Sequence, residues 1–94
     1  GLILLASYCN GSAKNLNLPV LSISATSDGL TTTDDVKKSR AELPDNTLFV
    51  VIDGGNHTQF GAFQKLQPGD NKASISPQQQ FEQIDTAIYN FINK

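Results

Sequence analysis

The chain has 94 residues, of which 38% are hydrophobic and 17% charged, a composition typical of one compact globular unit. Its 7 Lys+Arg against 9 Asp+Glu give a formal charge of −2, which argues against a nucleic-acid partner because no basic stripe can neutralise a run of phosphates. The longest apolar runs fall far short of the roughly 18 residues of a membrane span, and a single Cys with a single His excludes both a disulfide framework and a structural zinc site.

Three short apolar segments are predicted as buried parallel strands. They run from Leu2 to Tyr8, from Pro19 to Ala25 and from Thr47 to Ile52, and each is rich in β-branched or large aliphatic residues between Gly, Pro, Asn or Asp. The first connection, from Cys9 to Leu18, has about ten residues, near the short limit for a parallel crossover. Any helix in that connection is therefore minimal or missing.

A first helix is predicted between the second and third strands. One residue of Thr31 to Thr33 caps it, acidic residues follow in the first turn, basic residues come later, and Pro44 ends it. Its buried stripe is thin, because it consists of Val36, the alkyl stem of Arg40, and Leu43.

A second helix is predicted from Ser76 to the end of the chain. Ser76 caps it, Pro77 suits the first helical position, and Gln79 completes a Ser-x-x-Gln capping box. The helix carries one continuous apolar face, formed by Phe81, Ile84, Ala87, Ile88, Phe91 and Ile92.

The stretch from Gln59 to Ser74 is polar and has no periodic pattern. Its length without a pattern indicates a surface excursion near a site rather than a plain connector. Phe60 and Phe63 either line the mouth of a pocket or lie on an inert surface loop, and the sequence favours neither.

Two polar residues follow the ends of the second and third strands. The order of elements predicts an α/β layer fold with a parallel sheet, in which ligands bind outside the carboxyl ends of the strands. Asp28 precedes Gly29 at one such end, and His57 follows Gly54 and Gly55 at the other. On a shared edge, the carboxylate can hydrogen-bond one imidazole nitrogen and fix its tautomer, while the other nitrogen takes and returns a proton. This arrangement is half of a hydrolytic triad.

Simpler explanations exist for each of these residues alone. An Asp-Gly pair is a common turn, paired glycines can mark only a loop, and a lone His usually lies on the surface. The order of acid then base at two adjacent strand ends favours catalysis by Asp28 and His57. The alternatives are a non-catalytic α/β binding module, flavodoxin-like or receiver-type, and an interaction domain in which the histidine is incidental. Against the first stand the small number of strands and the absence of a glycine-rich loop opening a helix.

The sequence offers no convincing nucleophile. S-Y-C-N-G, residues 7 to 11, imitates a nucleophile elbow with Cys9 at its centre. An elbow must lead into a helix, but residues 10 to 18 are too few and too poor in helix formers, so Cys9 is interpreted as a small apolar filler. Ser22 and Ser24 lie inside a predicted strand, and no G-x-S-x-G occurs.

Three stretches together resemble a known family. L-P-V-L-S-I with S-D-G-L, then T-L-F-V-V-I-D-G-G-N-H-T-Q-F-G, then Q-P-G-D-N-K-A-S-I-S are similar to the C-terminal part of an α/β-hydrolase of the esterase and dienelactone-hydrolase-like group. The resemblance covers nearly the whole chain. It implies that the strands are the last three of the sheet, that Asp28 is the triad acid and His57 the triad base, and that the C-terminal helix packs on the sheet. It also implies hydrolysis of a small-molecule ester or related acyl substrate, with no metal or organic cofactor.

The chain is expected to be a piece of a longer hydrolase. Gly1 lies inside a strand-like run and the sequence contains no Met. Residues 1–94 are therefore interpreted as a single unit, the C-terminal portion of an α/β-hydrolase domain whose nucleophile elbow lies upstream. Such a piece is expected to be inactive alone and to self-associate through an exposed sheet edge along Leu2 to Tyr8.

Overall fold

The fold is a three-stranded parallel sheet with helices, as seen in a computed structural model that describes residues 1–7, 14–61 and 65–93. The strands lie in the order β1-β2-β3, and the middle strand pairs in parallel with both neighbours. The predicted α/β class is confirmed. In chain order the elements are β1 (Leu2–Leu5), β2 (Val20–Ala25), α1 (Thr33–Ser39), a 3-10 helix (Arg40–Glu42), β3 (Leu48–Ile52), a 3-10 helix (Thr58–Phe60) and α2 (Pro77–Ile92).

The central strand, β2, is buried along its whole length, as predicted for a short segment rich in aliphatic residues. Its residues Leu21, Ile23 and Ala25 form the hydrophobic core together with Ile52 of β3 and Ile84 of α2. In the register of the sheet Ala25 pairs with Ile52, so β2 and β3 end level with each other. The segments after these two strands consequently start from the same edge.

The first strand is shorter than predicted. It ends at Leu5, and Ala6 follows with a φ of 50°, a left-handed conformation that cannot continue extended backbone. Tyr8, the predicted end of the strand, lies outside the described residues. β1 is an outer strand of the sheet, and Leu5 is 41% exposed.

The first helix is capped by Thr32, whose side chain accepts the backbone N–H of Asp35 in a capping box. Val36 is buried as predicted. Arg40 departs from the prediction because it is exposed, with its guanidinium carbon 4.2 Å from the centroid of the Phe49 ring. A cation–π contact on β3 therefore replaces the expected burial of the arginine stem.

The second helix begins as predicted, with Ser76 as its cap and Gln79 completing the capping box. The prediction of one continuous apolar face is wrong at its ends, since Phe81 is 39% and Ile92 69% exposed. The face against the sheet instead starts at Gln80, one turn before Ile84, because residues four apart share a face. Along the described parts of the chain, no helix has the length and apolar character needed to cross a membrane.

Candidate active site

Asp28 and His57 meet at the carboxyl edge of the sheet. Asp28 follows β2, His57 follows β3, and the imidazole Nδ1 lies 2.9 Å from Asp28 Oδ2. The side chain of Asp28 is completely buried, whereas that of His57 is 27% exposed. The structure therefore brings together the two side chains that the sequence placed at neighbouring strand ends.

The Asp28 carboxylate is held from both sides. Its Oδ1 accepts the backbone N–H groups of Leu30 at 2.8 Å and Thr31 at 2.6 Å, which leaves Oδ2 to face the imidazole. The Thr31 hydroxyl donates to the carbonyl of Ala6 at 2.8 Å, so the turn is also tied to the end of β1. A buried carboxylate with this many donors has one orientation and presents one oxygen to His57.

The contact fixes the tautomer of His57. A carboxylate is only an acceptor, so the hydrogen of a neutral imidazole lies on Nδ1 and is donated to Asp28. Nε2 is then the basic nitrogen, the one able to accept a proton from another group. This orientation suits general-base chemistry.

The loop that carries His57 turns sharply at Gly54. This glycine has a φ of 83°, a left-handed conformation that disfavours side chains, and a Cβ there would meet the side chain of Ser74. Its N–H donates to the Thr26 hydroxyl at 2.8 Å, while the carbonyl of Gly55 accepts the N–H of Ser27 at 2.9 Å. These bonds join the segment after β3 to the segment after β2.

A second carboxylate, Asp70, lies next to the pair and accepts five hydrogen bonds. Its Oδ1 accepts the N–H groups of Gly29 at 2.9 Å, His57 at 3.3 Å and Asn71 at 2.9 Å. Its Oδ2 accepts the N–H and the hydroxyl of Thr58, each at 2.7 Å. Partial burial raises the pKa of Asp70, but the donors outweigh it, with the Gly29 N–H the strongest, and lower the pKa from 3.8 to about 2.

Asn56, the residue before His57, is held by hydrogen bonds from a side chain of α2. Gln80 is completely buried, and its Oε1 accepts the N–H of Asn56 at 3.2 Å while its Nε2 donates to the carbonyl of Asn56 at 2.9 Å. The same Oε1 accepts Nε2 of Gln59 at 2.9 Å. The Asn56 side chain donates to the carbonyl of Asn71 at 2.7 Å. Both ends of the His57 loop are thus anchored by polar contacts.

Sequence patterns identified Asp28 and His57 but missed these supporting residues. Gln80 left a signal, since it lies four residues before Ile84 on the buried face of α2 and a polar residue there needs partners. Asp70 left none, because it lies in the stretch without periodicity and its partners are mostly backbone groups.

Other sequence predictions have different outcomes. Phe60 is partly buried and packs against the core, and Ser22 and Ser24 are buried in β2. Cys9 and Phe63 lie outside the described residues. Within the described ranges, no group of three or more His, Cys, Asp or Glu side chains is placed to hold a metal ion.

An open groove of about 610 Å³ runs along α2, with Val50, Ile75 and Ala87 in its wall. Neither Asp28 nor His57 lines it.

Comparison with known proteins identifies a family. A family profile described as the alpha/beta hydrolase family matches residues 1–82, a span that includes all three strands and both members of the pair. No curated protein and no solved structure matches the chain.

Proposed function

The chain belongs to the alpha/beta hydrolase family, and on that premise we propose that it supplies the acid and the base of a serine hydrolase. Asp28 is the acid, His57 is the base, and the substrate is a small molecule with an ester or related acyl bond. The observation that carries the proposal is the 2.9 Å contact between Asp28 Oδ2 and His57 Nδ1 at the carboxyl edge of the sheet.

In the proposed reaction a serine attacks the acyl carbonyl carbon. His57 Nε2 takes the hydroxyl proton as the new carbon–oxygen bond forms, then returns that proton to the leaving alkoxide as the old bond breaks. Water next attacks the acyl-enzyme, with His57 as base again, and the acid product leaves while the serine recovers its proton. Each cycle consumes one ester and one water.

The surroundings of Asp28 suit the role of the triad acid. The imidazolium that forms during each proton transfer lies next to a carboxylate with no exposure to solvent, where opposite charges attract more strongly than in water. The two N–H groups on Oδ1 keep the carboxylate from rotating away. His57, which is partly exposed, remains reachable by a substrate.

The nucleophile is assigned to another part of the natural chain. Residues 1–94 contain no G-x-S-x-G, and two of the serines, Ser22 and Ser24, are buried in the central strand. We place the serine elbow and the oxyanion donors upstream of Gly1, which makes residues 1–94 the C-terminal portion of a hydrolase domain. The 94-residue polypeptide alone then has a base with nothing to activate.

The test uses the complete natural chain and a p-nitrophenyl ester. His57→Ala and Asp28→Asn are expected to lower kcat roughly a thousandfold or more, because the first removes the base and the second its orientation. Asp45→Asn, the same exchange at an exposed turn, is the matched control and is expected to leave kcat unchanged. Full turnover by His57→Ala would refute the proposal, and an absence of turnover by the parent chain would favour a non-catalytic binding module.

A second arm tests where the nucleophile lies. The 94-residue polypeptide is expected to show no turnover of the same ester above the rate in buffer. If the short chain turns over the ester and its His57→Ala variant does not, the nucleophile lies within residues 1–94.

A further inference from the structure

We propose that Asp70 is a positioning residue, which holds the turn bearing Asp28 and the loop bearing His57 at the separation that their contact requires. This inference rests on the proposed function, because positioning matters only if the pair works in catalysis. The five hydrogen bonds of Asp70 involve neither the carboxylate of Asp28 nor the imidazole of His57. Asp70 would act through the backbone of both segments.

One oxygen of Asp70 bridges the two segments. Oδ1 accepts the N–H of Gly29, the residue after the acid, at 2.9 Å, and the N–H of His57 itself at 3.3 Å. A single acceptor atom therefore ties the acid turn to the base loop, in addition to the bonds that join the two segments at Thr26 and Ser27. A small shift of either segment would lengthen the 2.9 Å contact between Asp28 and His57.

The backbone around Gly29 is packed closely against the segment that carries Asp70. A Cβ at Gly29 would lie 2.5 Å from the carbonyl oxygen of Gly69 and 3.0 Å from the Cα of Asp70. The backbone that carries Asp70 is thus in direct contact with the acid turn. Only glycine permits so close an approach, which brings the carboxylate within reach of both segments.

The other oxygen of Asp70 fixes the loop beyond His57. Oδ2 accepts the N–H and the hydroxyl of Thr58, and the Thr58 hydroxyl in turn accepts the N–H of Gln67 at 3.0 Å. Because the hydroxyl accepts from Gln67, its own hydrogen goes to Asp70. Thr58 is buried, so these bonds are shielded from water.

The position demands a carboxylate. Five donor groups converge on it, and only an ionised carboxyl accepts on both oxygens without donating. An asparagine has one acceptor oxygen, and its NH₂ would face donors on the Gly29 and His57 side or on the Thr58 side. The same donors lower the pKa of Asp70 to about 2, which favours the ionised form.

A positioning role and a purely structural role predict different results. If Asp70 only stabilised the fold, variants would unfold more easily while every folded molecule kept normal turnover and a normal contact between Asp28 and His57. If it positions the pair, folded molecules turn over more slowly. The Nδ1–H proton of His57, seen far downfield by NMR when it is donated to a carboxylate, also changes.

The experiment compares Asp70→Asn with Asp85→Asn in the complete natural chain, with rates corrected for the folded fraction. Asp85 is exposed on α2, so its variant is the matched control. For Asp70→Asn we expect kcat to fall roughly 10- to 100-fold, as misplacement of reacting groups does, with KM changed by less than about threefold. The downfield Nδ1–H resonance is expected to shift or broaden. Turnover within about twofold of the parent and an unchanged resonance would overturn the inference.

A second variant covers the case in which Asp70→Asn does not fold. Thr58→Val removes one of the donors to Asp70 while keeping the shape of the side chain, and Thr58→Ser restores the hydroxyl. We expect a smaller loss of kcat in Thr58→Val and its recovery in Thr58→Ser. No loss in Thr58→Val, or the same loss in both variants, would contradict the inference.

The same assays separate this inference from the proposed function. If His57→Ala keeps full turnover, the proposed function fails, and the Nδ1–H resonance in Asp70→Asn still decides whether Asp70 holds the pair. If His57→Ala is inactive and Asp70→Asn is fully active with an unchanged resonance, only the positioning role fails.

Discussion

Replacement of Gln80 by leucine should destabilise the protein far more than its place in an amphipathic helix suggests. Gln80 is completely buried, accepts the N–H of Asn56 and donates to the carbonyl of the same residue. Leucine has similar bulk but can make neither bond. Asn56 is only 2% exposed, so water cannot replace the lost partners.

The expected loss follows from the groups left without partners. An unpaired buried N–H or C=O costs about 1 to 3 kcal/mol, so the two groups of Asn56 together cost about 2 to 6 kcal/mol. Burial of the leucine side chain returns about 1.5 to 3 kcal/mol. We therefore expect Gln80→Leu to lower the free energy of unfolding by about 2 kcal/mol, a sizeable fraction of the roughly 5 to 15 kcal/mol typical of a domain. Gln59 keeps the carbonyl of Ile75 as an acceptor, so it adds little to the loss.

Urea unfolding followed by circular dichroism measures the effect. A loss of about 2 kcal/mol should lower the urea midpoint by roughly 1 M. Gln83→Leu, the same exchange at an exposed position on α2, is the control and is expected within about 0.5 kcal/mol of the parent. If both variants unfold at the same urea concentration, the buried contacts of Gln80 do not hold the His57 loop as described.

Two further predictions concern pH and association. Because the pKa of Asp70 in the folded protein is about 2 instead of 3.8, Asp70 stabilises the fold fully above the higher value and loses that effect as pH falls toward the lower one. The free energy of unfolding of the parent should exceed that of Asp70→Asn by about 1 kcal/mol more at pH 6 than at pH 2, a figure reduced for the partial exposure of the group. A difference between the two proteins that is the same at both pH values would contradict the prediction. The 94-residue chain is also expected to self-associate through the outer edge of β1. Light scattering should show less association for Leu5→Lys than for Val51→Lys on the opposite outer strand, and a monodisperse parent monomer at high concentration would contradict the prediction.

The positions of the strands and helices could be predicted from local patterns that tertiary contacts reinforce. The short segment of β2, rich in aliphatic residues, predicted a buried parallel strand, and all six of its residues are buried, Ser22 and Ser24 included. Ser76, Pro77 and Gln79 gave the start of α2 to the residue, because capping depends on side chains within one turn. The end of β1 could not be predicted, since the left-handed conformation of Ala6 has no signature in an alanine side chain.

In the candidate site, too, some residues could be predicted from the sequence and others could not. Asp28 and His57 were predictable because neighbouring parallel strands end at one edge of the sheet, and the structure brings the two side chains within 2.9 Å. Asp70 was not predictable, since four of its five bonds come from backbone N–H groups, which every residue but proline carries. The stretch around it looked like an excursion near a site, but the sequence could not indicate which of its polar residues turns inward.

Active-site labelling tests the central claim, that Asp28 and His57 activate a serine, most directly. The complete natural chain is treated with a fluorophosphonate, which reacts with activated serines, and the labelled peptide is identified by mass spectrometry. The account predicts one labelled serine, located upstream of Gly1, and loss of labelling in His57→Ala. No labelling of the natural chain, or labelling that His57→Ala leaves unchanged, would contradict it.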